Sequence, residues 1–232
     1  MVERRCLSLR MNRILELAPV PWGHQNGHRP EKQPAINQTT DKTMKKLLIA
    51  IISSVIALPA LAALEAGDEA PGFTARASLA GEEFEFTLND ALEKGNVVVY
   101  FYPSAYTQGC NIQAREFAVN MEKFEAAGAS VIGVSLDSIE RLNDFSADPE
   151  YCAGKLAVAS DESGEIAAMF KLNVRGAVEG AKDTRGVEIG HGFAERTTFI
   201  VTQDGKIAET IGGQSPMENV RMSLKAVEEL AD

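Results

Sequence analysis

The chain has 232 residues, of which 45% are hydrophobic and 24% charged, with a formal net charge of −10. That is ordinary globular usage, which excludes collagen-like, coiled-coil and wholly disordered classes. So acidic a balance gives no general attraction for nucleic acid or anionic lipid, and neither is expected as a partner. Three cysteines are too few for a disulfide scaffold, so each has to be weighed singly.

Residues 44–62 read MKKLLIAIISSVIALPALA. Lys45 and Lys46 form a positive start, Leu47 to Leu58 an apolar run, and Ala60-Leu61-Ala62 a small-residue cleavage site, the anatomy of a secretory signal peptide. The run is shorter than the roughly 20 residues of a spanning helix, so no membrane anchor is expected. Nor does a cysteine follow the site as in a lipoprotein. Residues 1–43 lack periodicity and carry Trp22, Cys6, His24 and His28. They are expected to be a non-native or disordered extension, with translation starting at Met44. Residues 63–232 are then one domain of 170 residues with 14 Lys and Arg against 29 Asp and Glu, net −15. The expected location is the periplasm, with the extracellular space as second choice.

Along that domain, Ala63 to Ala75 reads as a loop-like lead, and Phe84, Phe86 and Leu88 alternate with polar residues as a half-buried strand. Val97 to Tyr102 (VVVYFY) is a continuous β-branched and aromatic run, expected as a central strand buried on both faces and stopped by Pro103. From Cys110 the period becomes helical: Cys110, Ala114, Phe117, Met121 and Phe124 share one stripe, and Gly128 closes the helix. Ser130 to Leu136 reads as a second buried strand. Asp137 with Glu140 gives a capping box for a helix burying Ile139, Leu142 and Phe145 and ended by Pro149. A short strand at Leu156 to Ala159, a short helix at Glu165 to Phe170 and a Gly- and charge-rich surface loop at Asn173 to Gly192 follow. Thr197 to Thr202 and Lys206 to Ile211 flank Gln203-Asp204-Gly205 as a hairpin. Ser215, Pro216 and Glu218 start a last helix expected to bury Val220, Leu224, Val227 and Leu230. The pattern is α/β: one mixed sheet with helices on both faces.

The strand ending in YFYP leads through Thr107 to Cys110 where a helix begins. A thiol in a first helical turn faces unpaired N–H groups and the positive end of the helix dipole, both of which favour thiolate over thiol. By position alone, Cys110 also reads as a small buried hydrophobe heading the apolar stripe. The segment Pro103-x-x-x-Thr107-x-x-Cys110 resembles the active-site signature of the peroxiredoxins, thiol peroxidases on a thioredoxin-like fold. Gly67 to Phe73, Val131 to Asp137 and Arg196 to Ile200 resemble further family segments. Gly109-Cys110 and the short C-terminus are similar to the Q-type, or bacterioferritin-comigratory, group.

The resemblance implies a central sheet of the peroxiredoxin type and a set of roles. Cys110 is the nucleophile that opens the O–O bond of hydrogen peroxide or an organic hydroperoxide and becomes a sulfenic acid. Arg196 stabilises the thiolate and polarises the peroxide, Thr107 hydrogen-bonds the substrate with the Cys110 amide beside it, and Pro103 shields the sulfur. No prosthetic group or metal is implied. A thioredoxin-like or other dithiol protein is the reductant, and the chain is expected as a monomer or homodimer.

Three positions depart from the family pattern. Gln108 replaces a common proline, Gln113 a common glutamate, and Arg115 stands where many Q-type members have a resolving cysteine. Cys152 is similar to the resolving cysteine of another Q-type subgroup, and Pro149 and Gly154 bracket it in a segment easy to loosen. The alternative is an incidental buried thiol and a one-cysteine enzyme. His191, between two glycines, reads as a surface histidine rather than a metal ligand, since no paired ligand spacing surrounds it. A thiol–disulfide oxidoreductase is disfavoured because no Cys-x-x-Cys is present. A peroxide sensor or holdase-like protein stays open, because sensing and turnover share the sulfenic acid step.

Overall fold

The computed structural model describes residues 62–231. The expected extension at 1–43 and the signal segment up to residue 61 lie outside the described residues. Strands β1 (Thr74–Leu79), β2 (Glu82–Thr87), β3 (Asn96–Phe101), β4 (Ala129–Ser135), β5 (Ala157–Ser160), β8 (Thr197–Val201) and β9 (Ile207–Gly212) form one sheet, in the order β2-β1-β5-β4-β3-β8-β9. β3, β4 and β5 run parallel, and β1, β2, β8 and β9 pair antiparallel at its edges. The two-residue strands β6 (Val174–Arg175) and β7 (Phe193–Ala194) pair with each other and tie off the ends of the glycine-rich loop.

The period-two rule of strands decides where the core lies. Val98, Tyr100 and Tyr102 point to one face, and Val97, Val99 and Phe101 to the other, so β3 is buried on both. The first face carries α2 (Gln108–Ala126), α3 (Ile139–Ala147) and α5 (Pro216–Ala231), with both cysteines of the domain in its core. The second carries the short helices α1 (Leu88–Leu92) and α4 (Glu165–Met169). This is the mixed sheet with helices on both faces that the hydrophobic pattern called for.

Several local expectations need correction. β1 lies where the lead loop was expected to end, and its buried positions are Ala75, Ala77 and Ser78, too small and weakly apolar to read as a strand. β2 is the outermost strand, so Phe84 is 39% exposed, and Leu88 belongs to α1. The lead itself is tied down. The Leu64 amide donates to the Phe170 carbonyl, and Gly67, Ala70 and Ile207 exchange backbone bonds with the β8–β9 hairpin and the lead. The cap of α3 is Ser138, whose hydroxyl accepts from the Arg141 amide at 3.4 Å; Asp137 is turned inward instead. On α5, Leu224 is half-buried and Leu230 exposed, while Asn219, Ser223 and Ala226 take up the buried stripe with Val220 and Val227.

Tyr100 and Tyr102 stack at 5.3 Å between ring centres, and Tyr100 also stacks on Phe117 of α2 at 4.5 Å. The neighbouring β4 makes room with Gly133, where a β-carbon would stand 2.6 Å from the Tyr100 ring and hydroxyl. Gly133→Ala should therefore destabilise the domain by about 1–3 kcal/mol through overpacking. The readout is the denaturant midpoint; an unchanged midpoint would mean the ring is free to move.

Candidate active site

β3 leaves the sheet at Tyr102, turns at the half-buried Pro103 and passes through a buried loop into α2. Tyr106 in that loop takes a positive φ of 62°, a conformation a non-glycine residue adopts only when its surroundings hold it. Thr107 is the N-cap residue of α2, but its side chain does not cap the helix. Its hydroxyl donates to the Ser104 carbonyl at 2.8 Å, which leaves the oxygen lone pairs free to accept. The first intrahelical bond runs from the Asn111 amide to the Thr107 carbonyl, so the amides of Gln108, Gly109 and Cys110 have no helical acceptor. Cys110 sits in this uncapped turn and is 2% exposed.

Arg196, between β7 and β8, reaches across the sheet end, and its Nη2 lies 3.4 Å from Cys110 Sγ. A β-carbon at residue 109 would come within 3.2 Å of that same nitrogen, so glycine lets the guanidinium lie against the helix terminus. The Arg196 Nη1 donates to Gln113 Oε1, Gln113 Nε2 donates to Asn219 Oδ1 at 2.8 Å, and Asn219 Nδ2 donates to the Ile211 carbonyl at 3.0 Å. Among the described residues Arg196 has no carboxylate within ion-pair distance; its polar partners are an amide oxygen and the sulfur.

Behind the loop lies Asp137, fully buried at the end of β4. Its carboxylate accepts from the Ser104 hydroxyl (2.8 Å), the Ala105 amide (2.7 Å), the Ser135 hydroxyl (2.7 Å) and His191 Nε2 (2.8 Å). Arg141 Nε stands 2.8 Å away as an ion pair, and Arg141 Nη2 continues to Asp183 and the Ala105 carbonyl. Burial works to raise the Asp137 pKa. The His191 bond and charge, with the Ala105 and Ser135 bonds, outweigh it and hold the group below its ordinary range.

His191 is thus not the surface histidine that its glycine neighbours suggested. Its Nδ1 meets the Gly192 carbonyl at 2.7 Å and its Nε2 the Asp137 carboxylate. Both partners only accept, which suits a ring with hydrogen on both nitrogens, the imidazolium form. Desolvation opposes that charge, but Asp137 and the Gly192 carbonyl prevail and raise the pKa. The glycine-rich loop is likewise not simply peripheral. Asp183 is buried in it, Thr184 donates to the Tyr106 carbonyl through amide and hydroxyl, and Arg185 stacks over the Tyr106 ring at 3.2 Å.

Cys152 lies in the loop between α3 and β5, fully buried in the same core face as Cys110, and both are free thiols. Burial first, and the Asp148 charge second, push the Cys152 thiol pKa up. Ala153 and Gly154 beside it both have positive φ, 54° and 65°. Tyr106 packs edge-on against Phe145 and Tyr151, so the two cysteine-bearing segments share an aromatic contact.

The structure therefore brings Cys110 and Arg196 together at the end of β3, with Thr107 on the same helical turn. Pro103 stands at the start of the loop, and Cys152 is in the shared core without a bond to Cys110. Asn219, Asp137 and Arg141 were missed. Asn219 had a signal, as a polar residue on the buried stripe of a helix, and so had Asp137, a charge directly ending an apolar strand.

The His191–Asp137 pair has a definite pH window. A raised histidine adds stability in full below its ordinary 6.5 and loses it as pH climbs through the higher folded value. A depressed aspartate adds stability in full above its ordinary 3.8 and loses it as pH falls through the lower folded value. The stability gap between the natural protein and His191→Gln should be widest near about pH 5 and narrow above neutrality. Denaturant titrations at the two pH values measure it; equal gaps would refute the charged pair.

The AhpC/TSA family model matches residues 66–210. Peroxiredoxin Bcp of Escherichia coli (strain K12) is 34% identical over 144 residues, 62% of this chain and 83% of its own length. Peroxidoxin BcpB from Mycobacterium tuberculosis has a similar crystal structure, with TM-score 0.60 and 25% identity, over 72% of this chain and 98% of that one. The bacterioferritin comigratory protein of Xanthomonas campestris, studied for its alkyl peroxide reduction activity, has TM-score 0.54 and 25% identity over 68% of this chain and 92% of that one. With the sheet, the helix-terminal cysteine and its arginine in place, these likenesses agree: the chain belongs to the AhpC/TSA family and is a peroxiredoxin of the Q-type, bacterioferritin-comigratory group, a thiol peroxidase.

Proposed function

We propose that the protein is an exported two-cysteine peroxidase that reduces hydrogen peroxide and organic hydroperoxides at Cys110. The observation that carries this reading is Arg196 Nη2 at 3.4 Å from Cys110 Sγ, in a helical turn whose amides are uncapped. The guanidinium and the helix terminus favour negative charge on the sulfur. The Cys110 thiolate attacks one peroxide oxygen and the O–O bond breaks. The thiolate becomes a sulfenic acid, and the other oxygen leaves as alkoxide or hydroxide and takes a proton to become alcohol or water. Arg196 and the free amides meet the charge that builds on the leaving oxygen. The Thr107 hydroxyl, with its hydrogen committed to Ser104, accepts the hydroperoxide O–H. Pro103 begins the loop that keeps water from the sulfur. The alkyl peroxide chemistry of the Xanthomonas campestris relative supports organic hydroperoxides as substrates.

In the resolving step, the Cys152 thiol attacks the sulfenic sulfur and a water leaves, giving a Cys110–Cys152 disulfide. A dithiol protein then reduces it by exchange and becomes a disulfide itself. A fully buried thiol with a raised pKa is a poor nucleophile, so its loop must open first. The left-handed Ala153, which costs about 1–2 kcal/mol relative to relaxed backbone, lowers the cost of that opening. The shared contacts of Tyr106 with Phe145 and Tyr151 link the opening of one segment to the other. Export is supported by the signal-like segment at 44–62. Cleavage after Ala62 leaves intact the tie between Leu64 and Phe170.

One equivalent of hydrogen peroxide added to the purified protein, followed by peptide mapping, should remove two hydrogens and link Cys110 to Cys152. Cys152→Ser should stop at the Cys110 sulfenic acid and lose about tenfold or more in dithiol-driven turnover. An oxygen on Cys110 beside a free Cys152 thiol would replace the disulfide with a one-cysteine cycle. An unoxidised Cys110 would end the peroxidase reading.

A further inference from the structure

We infer that Asn219, on the C-terminal helix, is a positioning residue for peroxide reduction: it sets the orientation of the Gln113 amide, and through it the placement of Arg196 over the Cys110 sulfur. This deepens the reading of Cys110 as the point of peroxide attack and rests on it. Gln113 is fully buried and uncharged, so either end of its amide fits the same space, and its partners decide which end faces Arg196. The relay begins at the Ile211 carbonyl of β9, which can only accept. Asn219 must therefore present Nδ2 to it, at 3.0 Å, and Oδ1 to the opposite side. There Oδ1 accepts from the Thr198 hydroxyl at 2.7 Å and from Gln113 Nε2 at 2.8 Å. With its nitrogen so engaged, Gln113 turns Oε1 to the Arg196 guanidinium, which can only donate.

The polarity is thus fixed from end to end, from an obligate acceptor in the sheet to an obligate donor at the sulfur. The reversed Gln113 amide would set N–H against N–H at Arg196 and leave a buried donor and acceptor unpaired. Because α5 supplies Asn219, β8 Thr198, β9 Ile211 and α2 Gln113, four elements have to dock before Arg196 is correctly held. Asn219 itself touches neither sulfur nor guanidinium, and it acts only through Gln113.

A double-mutant cycle on the full domain separates this role from simple core packing. The readout is the second-order rate of Cys110 oxidation by hydrogen peroxide in a single turnover, with folding checked by circular dichroism. Asn219→Leu removes the acceptor and should slow oxidation about tenfold, the size of one misplaced hydrogen bond at a reacting centre. Gln113→Leu removes the amide through which Asn219 would act, so Arg196 lacks that acceptor whatever stands at residue 219. In that background Asn219→Leu should change the rate by less than about twofold. An equal loss in both backgrounds would mean that Asn219 is structural only, and no loss with Gln113 present would equally overturn the inference. Should Asn219→Leu fail to fold, Asn219→Ala is carried through the same cycle. A natural protein whose Cys110 does not react with peroxide would instead overturn the functional reading beneath it.

Discussion

A single positive charge held against a buried sulfur organises this molecule. Two unit charges 4 Å apart attract by about 1 kcal/mol in water but about 4 kcal/mol at the screening typical near a protein surface. In the proposed reaction the sulfur carries the negative charge, and the near-complete burial of Cys110 keeps its contact with Arg196 away from the water limit. The effect would be blunted if a carboxylate shared the guanidinium. Gln113 holds Arg196 with an oxygen that carries no net charge, so the arginine is fixed in place while its charge stays directed at the sulfur. Gly109 serves the same end by leaving room for the guanidinium beside the helix terminus.

Around this contact the fold spends buried polarity freely, and Asp137 is its largest investment. An isolated carboxylate in the core would be driven to protonate. Here hydroxyls, an amide, an imidazolium and a guanidinium surround it, so it stays ionised and joins three separate stretches of chain. One is the Ser104–Ala105 loop ahead of Cys110, another is α3 through Arg141, and the last is the glycine-rich loop through His191. That loop in turn clamps Tyr106 through Thr184 and Arg185. The positive φ of Tyr106 is sustained by these contacts.

Cys152 shows the opposite pull. Its place in the core contributes to a stable domain, while the disulfide proposed for it requires that place to be vacated. The surrounding backbone suits both demands: α3 stops at Ala147, Pro149 follows, and Ala153 and Gly154 turn left-handed before β5 begins. For the proposed disulfide this segment has to open locally while the sheet stays paired.

The central parts of the architecture were legible from the sequence because their causes are local. VVVYFY marks a strand buried on both faces, the stripe from Cys110 to Phe124 marks its helix, and Asp-Gly marks the hairpin, each from periodicity or turn chemistry a few residues long. The cysteine at a helix start was legible for the same reason, and the surrounding segments revealed the family. β1 escaped because its buried positions are two alanines on one face and a serine on the other, and a period-two signal without bulk is faint. What only the tertiary structure decided was the partner of each polar side chain. Asp137 looked like a helix cap and His191 like a surface residue, and Asn219 was not singled out at all. Beside near neighbours, each has a partner tens of residues away in the chain, up to 106 between Gln113 and Asn219. A hydrogen bond depends on a few tenths of an ångström and on the direction of a lone pair. Hydrophobic pattern places elements to within a strand's width, whereas that finer geometry exists only once the sheet and its helices have packed.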